Sequence, residues 1–186
     1  MLLQRRSTMP VESVGLDLSL TGTGVVVLSH DNEVLLAETL KNKLRGMERL
    51  EFIRNKITDV IDDYPDATYC VENYAMGSRA GQAFSIGELG GVIKLLLFER
   101  GIIPYLVPPT RLKKFITGGG KAEKDMIMML VYKRWGWEAS DNNTADAYSL
   151  SKLGQNLITP SSDLNKAQLE VIRGILNPPE LKKKKR

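Results

Sequence analysis

The order of the apolar segments restricts the fold of this chain more than any other feature. Residues 11–20, 24–29 and 33–40 are apolar, and only the short polar turns at 21–23 and 31–32 separate them. Segments that are this short and this close pair most readily with one another, as an antiparallel meander. The next segment, residues 46–64, has apolar side chains at three- and four-residue spacing, which predicts an amphipathic helix.

The remaining segments extend this pattern into a mixed sheet. We predict a strand at 67–72, a helix at 84–100 and a strand at 103–107. Strands that alternate with helices pair in parallel. We therefore predict an α/β, ribonuclease H-like fold with a five-stranded mixed sheet, three strands antiparallel and two parallel, flanked by helices. Beyond Thr110 the pattern is helical, at 111–116, 122–134, 143–157 and 164–176.

Length and composition indicate one globular domain. The chain has 186 residues, of which 42% are hydrophobic and 26% charged, as in ordinary globular proteins. We expect a flexible N-terminus at 1–10, the domain at 11–177 and a disordered basic tail at 178–186. The longest apolar stretch, 126–131, is too short to cross a bilayer, and the first residues do not resemble a secretory signal. The expected location is the cytoplasm, with no membrane partner.

Cysteine and histidine usage limits the metals that the chain could bind. Cys70 and His30 are the single residues of their types, so the chain cannot form an internal disulfide or a His/Cys zinc site. Any metal must therefore be held by oxygen atoms, which favours hard cations such as Mg²⁺.

Four oxygen-bearing residues stand where such a cation could bind. Asp17 interrupts an apolar strand, and Glu72 follows the apolar Tyr69-Cys70-Val71. If these two strands pair, the carboxylates are neighbours, and buried charges of this kind require a partner. Asn143 and Asp146 are three residues apart and therefore share a helix face. We predict that the four residues are catalytic and hold two Mg²⁺ ions, with Mn²⁺ as a substitute, for phosphodiester hydrolysis.

Each of these residues alone has a simpler structural explanation. Buried carboxylates are often satisfied by backbone amides, and the helix dipole favours an acidic residue such as Asp146 near a helix start. Asn143 alone is explained as an N-cap, and Asp141 is another candidate for that cap. The prediction of a metal site therefore rests on the combination of residues.

A basic segment in the second half of the chain predicts binding to phosphates. It contains Arg111, Lys113, Lys114, Lys121 and Lys124, with Glu123 as its one acidic residue. Residues 118–120 are glycines just before a predicted helix, and backbone amides at a helix start bind phosphate. The alternative is that the lysines form the solvated face of an ordinary helix. We favour contact with the DNA backbone.

Three motifs of the chain resemble the RuvC family of Holliday junction resolvases, between residues 11 and 157. The most specific is the segment 107–124, with two prolines, a basic helix, a glycine-rich loop and Ala122-Glu123-Lys124. The motif at residues 15–24 around Asp17 and the motif Ala145-Asp146-Ala147 agree in order and spacing.

The resemblance implies a homodimer that binds branched DNA, the four-way junction, and cuts two opposing strands with a metal-dependent acidic site. It implies that Asp17, Glu72 and Asp146 are metal ligands. The fourth position is usually Asp or His in the family and is Asn143 here. An amide oxygen does not neutralise the metal charge, so binding would be weaker or would draw on Asp141 as a further ligand.

The resemblance also implies a DNA-contacting loop after Glu72 and a dimer helix. The loop carries Tyr74, which could stack on an unpaired base or cover the sheet edge, and Arg79 as a nearby cation. The helix at 84–100 contains three glycines, at 87, 90 and 91, which would permit close contact with a second copy.

Two other functions are compatible with the sequence. One is a junction-binding protein whose catalysis is weakened by Asn143. The other is an actin-like sugar kinase, because residues 15–22 also resemble that superfamily's first phosphate motif, although no second such motif follows.

Overall fold

One mixed sheet organises the protein, in a computed structural model that describes residues 12–73, 80–119 and 126–178. The strands are β1 (Ser13–Asp17), β2 (Thr23–Leu28), β3 (Val34–Leu40), β4 (Thr68–Glu72) and β5 (Tyr105–Val107). Their order in the sheet is β3-β2-β1-β4-β5. The first three strands pair antiparallel, and β4 pairs in parallel with β1 and β5. The predicted ribonuclease H-like fold is thus confirmed.

Six helices cover the two faces of this sheet among the described residues. They are α1 (Gly46–Asp63), α2 (Ala80–Glu99), α3 (Pro109–Thr117), α4 (Ile127–Trp135), α5 (Asn142–Ile158) and α6 (Lys166–Leu176). Adjacent residues of β2 face opposite cores: Val25 and Val27 pack with α1 and α2, whereas Val26 and Leu28 pack with α3 to α6. Because both faces are covered, the central strands are apolar without alternation.

Several element boundaries differ from the sequence prediction. Strand β1 ends at Asp17 and not at residue 20, and helix α2 begins at Ala80, four residues earlier than predicted. Helix α3 begins at Pro109, which the prediction treated only as the end of a strand. Proline is favoured at the first position of a helix, where its missing N–H has no partner to lose.

Aromatic packing holds both tryptophans, which are partly buried, against the core on the α3–α6 side of the sheet. Trp135 stacks on Phe115 with ring centroids 6.0 Å apart, and Trp137 stacks on Tyr148 at 4.3 Å. Cys70 is buried and has no disulfide partner. No helix in the described ranges is long and apolar enough to cross a membrane.

Candidate active site

Asp17 and Glu72 lie side by side at the end of the two central parallel strands. Leu16 pairs with Val71 in the β1–β4 register, so the next residue of each strand is the acidic one. The two carboxyl groups are close enough for the charge of Glu72 and hydrogen bonding to its side chain to raise the pKa of Asp17. The neighbourhood predicted from the sequence is therefore present.

The environment of Asp17 makes its charge unfavourable. The residue is 8% exposed. Burial raises its pKa well above the usual 3.8, and the charges of Glu72 and then Asp141 act in the same direction. A cation bound between two carboxylates held this closely would offset the repulsion between them.

Helix α5 crosses the sheet directly beside this pair. Asp17 pairs with Gly24 of β2, and a methyl group added at Gly24 would lie 2.2 Å from the backbone oxygen of Asn143. A methyl group at Gly15 would lie 1.9 Å from the backbone oxygen of Ala147. The glycines let the helix backbone rest on the strands. Asp146 lies on α5 between these contact points and is partly exposed.

The four predicted ligands do not form a tight cluster. Among the residues that the structure describes, no group of three His, Cys, Asp or Glu side chains is arranged to hold a metal ion. Asp17 and Glu72 are in contact, and Asn143 lies on α5, the helix beside them. Joint coordination by all four residues remains a prediction.

The N-cap of α5 is Asp141, so the interpretation of Asn143 alone as the cap is wrong. The Asp141 carboxylate accepts a hydrogen bond from the Thr144 backbone N–H at 2.9 Å. The Thr39 hydroxyl donates to its two oxygens at 2.8 and 2.9 Å, and Lys41 Nζ lies 3.1 Å away. Partial burial acts to raise the pKa of Asp141, but these hydrogen bonds outweigh it and lower the pKa to about 2. Asp141 thus stays ionised and committed to its cap.

Sequence reasoning missed the part that β3 plays here. Thr39 and Lys41 tie the start of α5 to the edge of the sheet, 100 residues or more away along the chain. A polar residue near the end of an edge strand is common, so the sequence contained no specific signal for this contact. The link sets the position of α5, and hence of Asn143 and Asp146.

The basic helix α3 is only partly available to a ligand. Lys114 forms an ion pair of 2.6 Å with Glu170, and Arg111 donates to the backbone oxygen of Gly174, both on α6. Lys113 is exposed. The predicted DNA-contacting residues Tyr74, Arg79, Lys121 and Lys124 lie outside the described residues.

Comparison with known proteins identifies the family of this chain. The sequence model of the family described as crossover junction endodeoxyribonuclease RuvC matches residues 13–151. The RuvC of Treponema denticola is 30% identical over 124 residues, which are 63% of this chain and 69% of that protein. The RuvC of Brachyspira hyodysenteriae is 30% identical over 116 residues, 62% of this chain and 72% of that protein.

A solved structure shows the same fold. The structure of T. thermophilus RuvC in complex with Holliday junction substrate superposes with a TM-score of 0.65 at 21% identity, covering 76% of this chain and 90% of that chain. The family match includes β1, β4 and most of α5, which together carry the four candidate residues. The chain therefore belongs to the RuvC family of crossover junction endodeoxyribonucleases.

Proposed function

We propose that this protein resolves four-way (Holliday) junctions by metal-dependent hydrolysis of two opposing strands. The observation that carries the proposal is the close pair formed by the buried Asp17 and the partly buried Glu72, with α5 packed beside it on Gly24. A buried carboxylate next to a second carboxylate is costly for folding alone, and such arrangements concentrate at functional sites. The test is a nicking assay on a synthetic four-way junction, with and without Mg²⁺, in which a linear duplex should remain intact.

The donor set fits a hard divalent cation. Asp17, Glu72 and Asp146 contribute carboxylates and Asn143 an amide oxygen, the ligand types that Mg²⁺ and Mn²⁺ prefer. We propose that these four residues hold two such ions. Ions in this setting supply an activated water and stabilise charge on the leaving oxygen.

The protein's own contribution is to hold these ligands in place. Asp17 and Glu72 are fixed by strand pairing in the middle of the sheet, and α5 is fixed by its contacts with Gly15 and Gly24. The Asp141 carboxylate caps α5 and at the same time places a negative charge near Asp17. A site built on regular elements keeps its geometry through the reaction.

The proposed DNA contacts extend from this site along α3 and the loops around it. Lys113 is exposed on α3 and can reach a phosphate. Arg111 and Lys114 already have partners on α6, so they would contact DNA through their remaining donors. Tyr74, Arg79, Lys121 and Lys124 complete the proposed set from sequence.

Asn143→Asp tests whether residue 143 is a metal ligand and whether its amide weakens metal binding. We expect the half-saturating Mg²⁺ concentration for nicking to fall by about one order of magnitude, because carboxylate charge strengthens binding of the cation. Metal titrations of the nicking rate would measure this. Asn142→Asp is the matched control, since it adds the same charge one residue away at an exposed position and should leave the titration unchanged.

The same titration decides whether Asn143 has weakened catalysis. The family match does not favour a protein that only binds junctions, nor a sugar kinase. If the unmodified protein failed to nick and Asn143→Asp restored nicking, the weakened-catalyst alternative would be correct. If both proteins nicked with the same Mg²⁺ dependence, Asn143 would not be a ligand.

We further propose that the protein is a homodimer formed through α2. Phe84, Leu95 and Phe98 are 75%, 57% and 74% exposed and follow one another at helical spacing on the same face as Gly91. A methyl group added at Gly91 would meet nothing within 4 Å. Glycine inside a helix costs about 1 kcal/mol relative to alanine, and nothing within the described chain requires it here. Close approach of a second copy would require it.

Phe98→Ala is expected to weaken self-association by about tenfold or more, because aromatic anchors carry much of the energy of an interface. Sedimentation equilibrium would measure the effect. Met47→Ala is the matched control, since Met47 is an equally exposed apolar residue, at 71%, on α1.

Gly91→Ala gives an independent check with opposite expectations. At a dimer interface the added methyl group should weaken association. On the free surface of a monomer the same change should raise the free energy of unfolding by about 1 kcal/mol. The second result, or a monomer at micromolar concentration, would contradict the dimer.

A further inference from the structure

A polar cavity of about 210 Å³ lies away from the acidic pair. Its walls come from the β2–β3 turn, the end of α4, the middle of α5 and the residues leading into α6. The turn follows Leu28, which pairs with Ser13 at the start of β1, whereas Asp17 ends that strand. At about 3.3 Å per residue the two ends of β1 are about 13 Å apart. The cavity is therefore at the opposite end of the sheet from the candidate active site.

Lys152 is a buried cation in the wall of this cavity. It is 7% exposed, its ammonium donates to the Asn32 side-chain oxygen, and it lies 5.6 Å from the centre of the Tyr148 ring. Burial lowers its pKa to about 8, partly opposed by the charge of Asp163, so the ammonium form predominates at pH 7. None of the ion pairs among the described residues includes it. A buried charge without an ionic partner is costly.

Arg134 adds a second cation to the same cavity. It is exposed at the end of α4, and its guanidinium lies 5.9 Å from the centre of the Trp135 ring. It also takes part in none of the ion pairs of the described residues. The one acidic side chain in the wall, Asp163, accepts a hydrogen bond from Ser161. The wall therefore carries a net positive charge.

We propose that this cavity binds a phosphate group between Lys152 and Arg134. The planar guanidinium can donate two parallel hydrogen bonds to phosphate oxygens, and the lysine ammonium supplies a compact charge. A phosphate would give both cations an ion-pair partner, which neither has among the residues that the structure describes. Asp163 limits the affinity through repulsion and favours release.

The phosphate could come from two sources. It could be a free phosphate or a small phosphorylated molecule, or it could belong to the DNA backbone. The second source is plausible in geometry because Arg134 lies against the glycine-rich segment: a methyl group added at Gly118 would lie 2.8 Å from its Nη2 atom. Both sources present the same chemistry to the cavity.

Inorganic phosphate is the first probe, titrated into the whole protein by calorimetry and by thermal unfolding. We expect saturable binding and a rise in Tm with phosphate. Arg134→Gln should weaken binding about tenfold or more, as expected for loss of a charge-assisted hydrogen bond, and Asp163→Asn should strengthen it. Lys133→Gln removes a neighbouring exposed charge of α4 that does not line the cavity and should change nothing.

Lys152→Met separates binding from folding. This variant should keep its Tm in phosphate-free buffer, because it removes a buried charge, but should lose the rise in Tm that phosphate causes. A four-way junction is the second probe. If Arg134→Gln reduces the salt slope of junction binding by about 1, the ligand is a DNA phosphate.

If Arg134→Gln loses phosphate binding but leaves the salt slope of junction binding unchanged, the ligand is a free phosphate. Either a reduced slope or this result supports the site. Absence of saturable phosphate binding to the unmodified protein, together with an unchanged salt slope in Arg134→Gln, would overturn it. Equal phosphate binding by Arg134→Gln and Lys133→Gln would overturn it as well. None of these outcomes depends on whether the protein cleaves DNA.

Discussion

Replacing Asp17 with asparagine is expected to abolish junction cleavage and, at the same time, to stabilise the folded protein. Loss of a central ligand removes several kcal/mol of stabilisation from the reaction, so the nicking rate should fall by roughly 10³-fold. The folded protein, however, is relieved of a buried charge beside Glu72. Gains from such changes at functional sites are about 0.5–2 kcal/mol, which corresponds to a rise in Tm of roughly 2–4 °C per kcal/mol for a chain of this size.

The pH dependence of this gain follows from the raised pKa of Asp17. Between the usual value of 3.8 and the raised value, the folded state binds more protons than the unfolded state. Stability must therefore fall as the pH rises through this window. Near pH 4 Asp17 is largely neutral in the folded state, so Asp17→Asn should differ little from the unmodified protein. The difference should grow toward neutral pH.

Denaturant unfolding at several pH values, in the presence of a chelator, would measure both effects. Asp63→Asn is the matched control, because Asp63 is exposed at the end of α1 and should alter neither cleavage nor stability. A variant at position 17 that loses stability at pH 7, or one that still nicks at the normal rate, would contradict the assignment.

Replacing Gly24 with alanine is expected to lower both stability and cleavage, through the backbone of α5. The added methyl group would lie 2.2 Å from the backbone oxygen of Asn143, which is much closer than van der Waals contact allows. Backbone atoms cannot rotate away, so the start of α5 must shift. Overpacking of this kind costs about 1–3 kcal/mol, and the shift moves Asn143 and Asp146 relative to Asp17.

Gly154→Ala, on α5 itself, is the matched control. A methyl group there would meet side-chain atoms of Cys70, Ser13 and Thr68 at 3.2–3.6 Å, which can adjust by a few tenths of an ångström. We expect this variant to keep nearly normal cleavage. If Gly24→Ala cleaved as well as Gly154→Ala, the packing of α5 on β2 would not position the active site. Chemical denaturation combined with the nicking assay separates loss of fold from loss of geometry.

Much of the fold is readable from local patterns. Most strand segments and α1 were predicted close to their observed bounds, because short apolar runs between turns and apolar residues at three-to-four spacing are local signals. The neighbourhood of Asp17 and Glu72 was also predictable, since strand-helix-strand units pair in parallel and align their C-terminal ends. The DNA-contact residues outside the described ranges remain predictions from sequence.

Other features depend on contacts between residues far apart in the chain. The close approach of α5 to the sheet depends on the strand glycines Gly15 and Gly24, which lie far from α5 in the chain. The contacts of Thr39 and Lys41 with the Asp141 carboxylate could not be predicted, because these residues lie 102 and 100 positions away in the chain. Lys152 occupies a buried face of α5, and only the folded arrangement shows that Arg134 shares its cavity.

The sequence by itself determined the order of strands and helices, the oxygen-only chemistry of the candidate site and the family to which the motifs belong, because periodicity and residue type act locally. Only the tertiary structure decided how close the carboxyl groups of Asp17 and Glu72 lie, that Thr39 and Lys41 contact the Asp141 carboxylate, and that Lys152 is buried against Asn32. Those outcomes depend on burial and on distances of a few ångströms between segments 50 to 100 or more residues apart, and short-range patterns do not encode such distances.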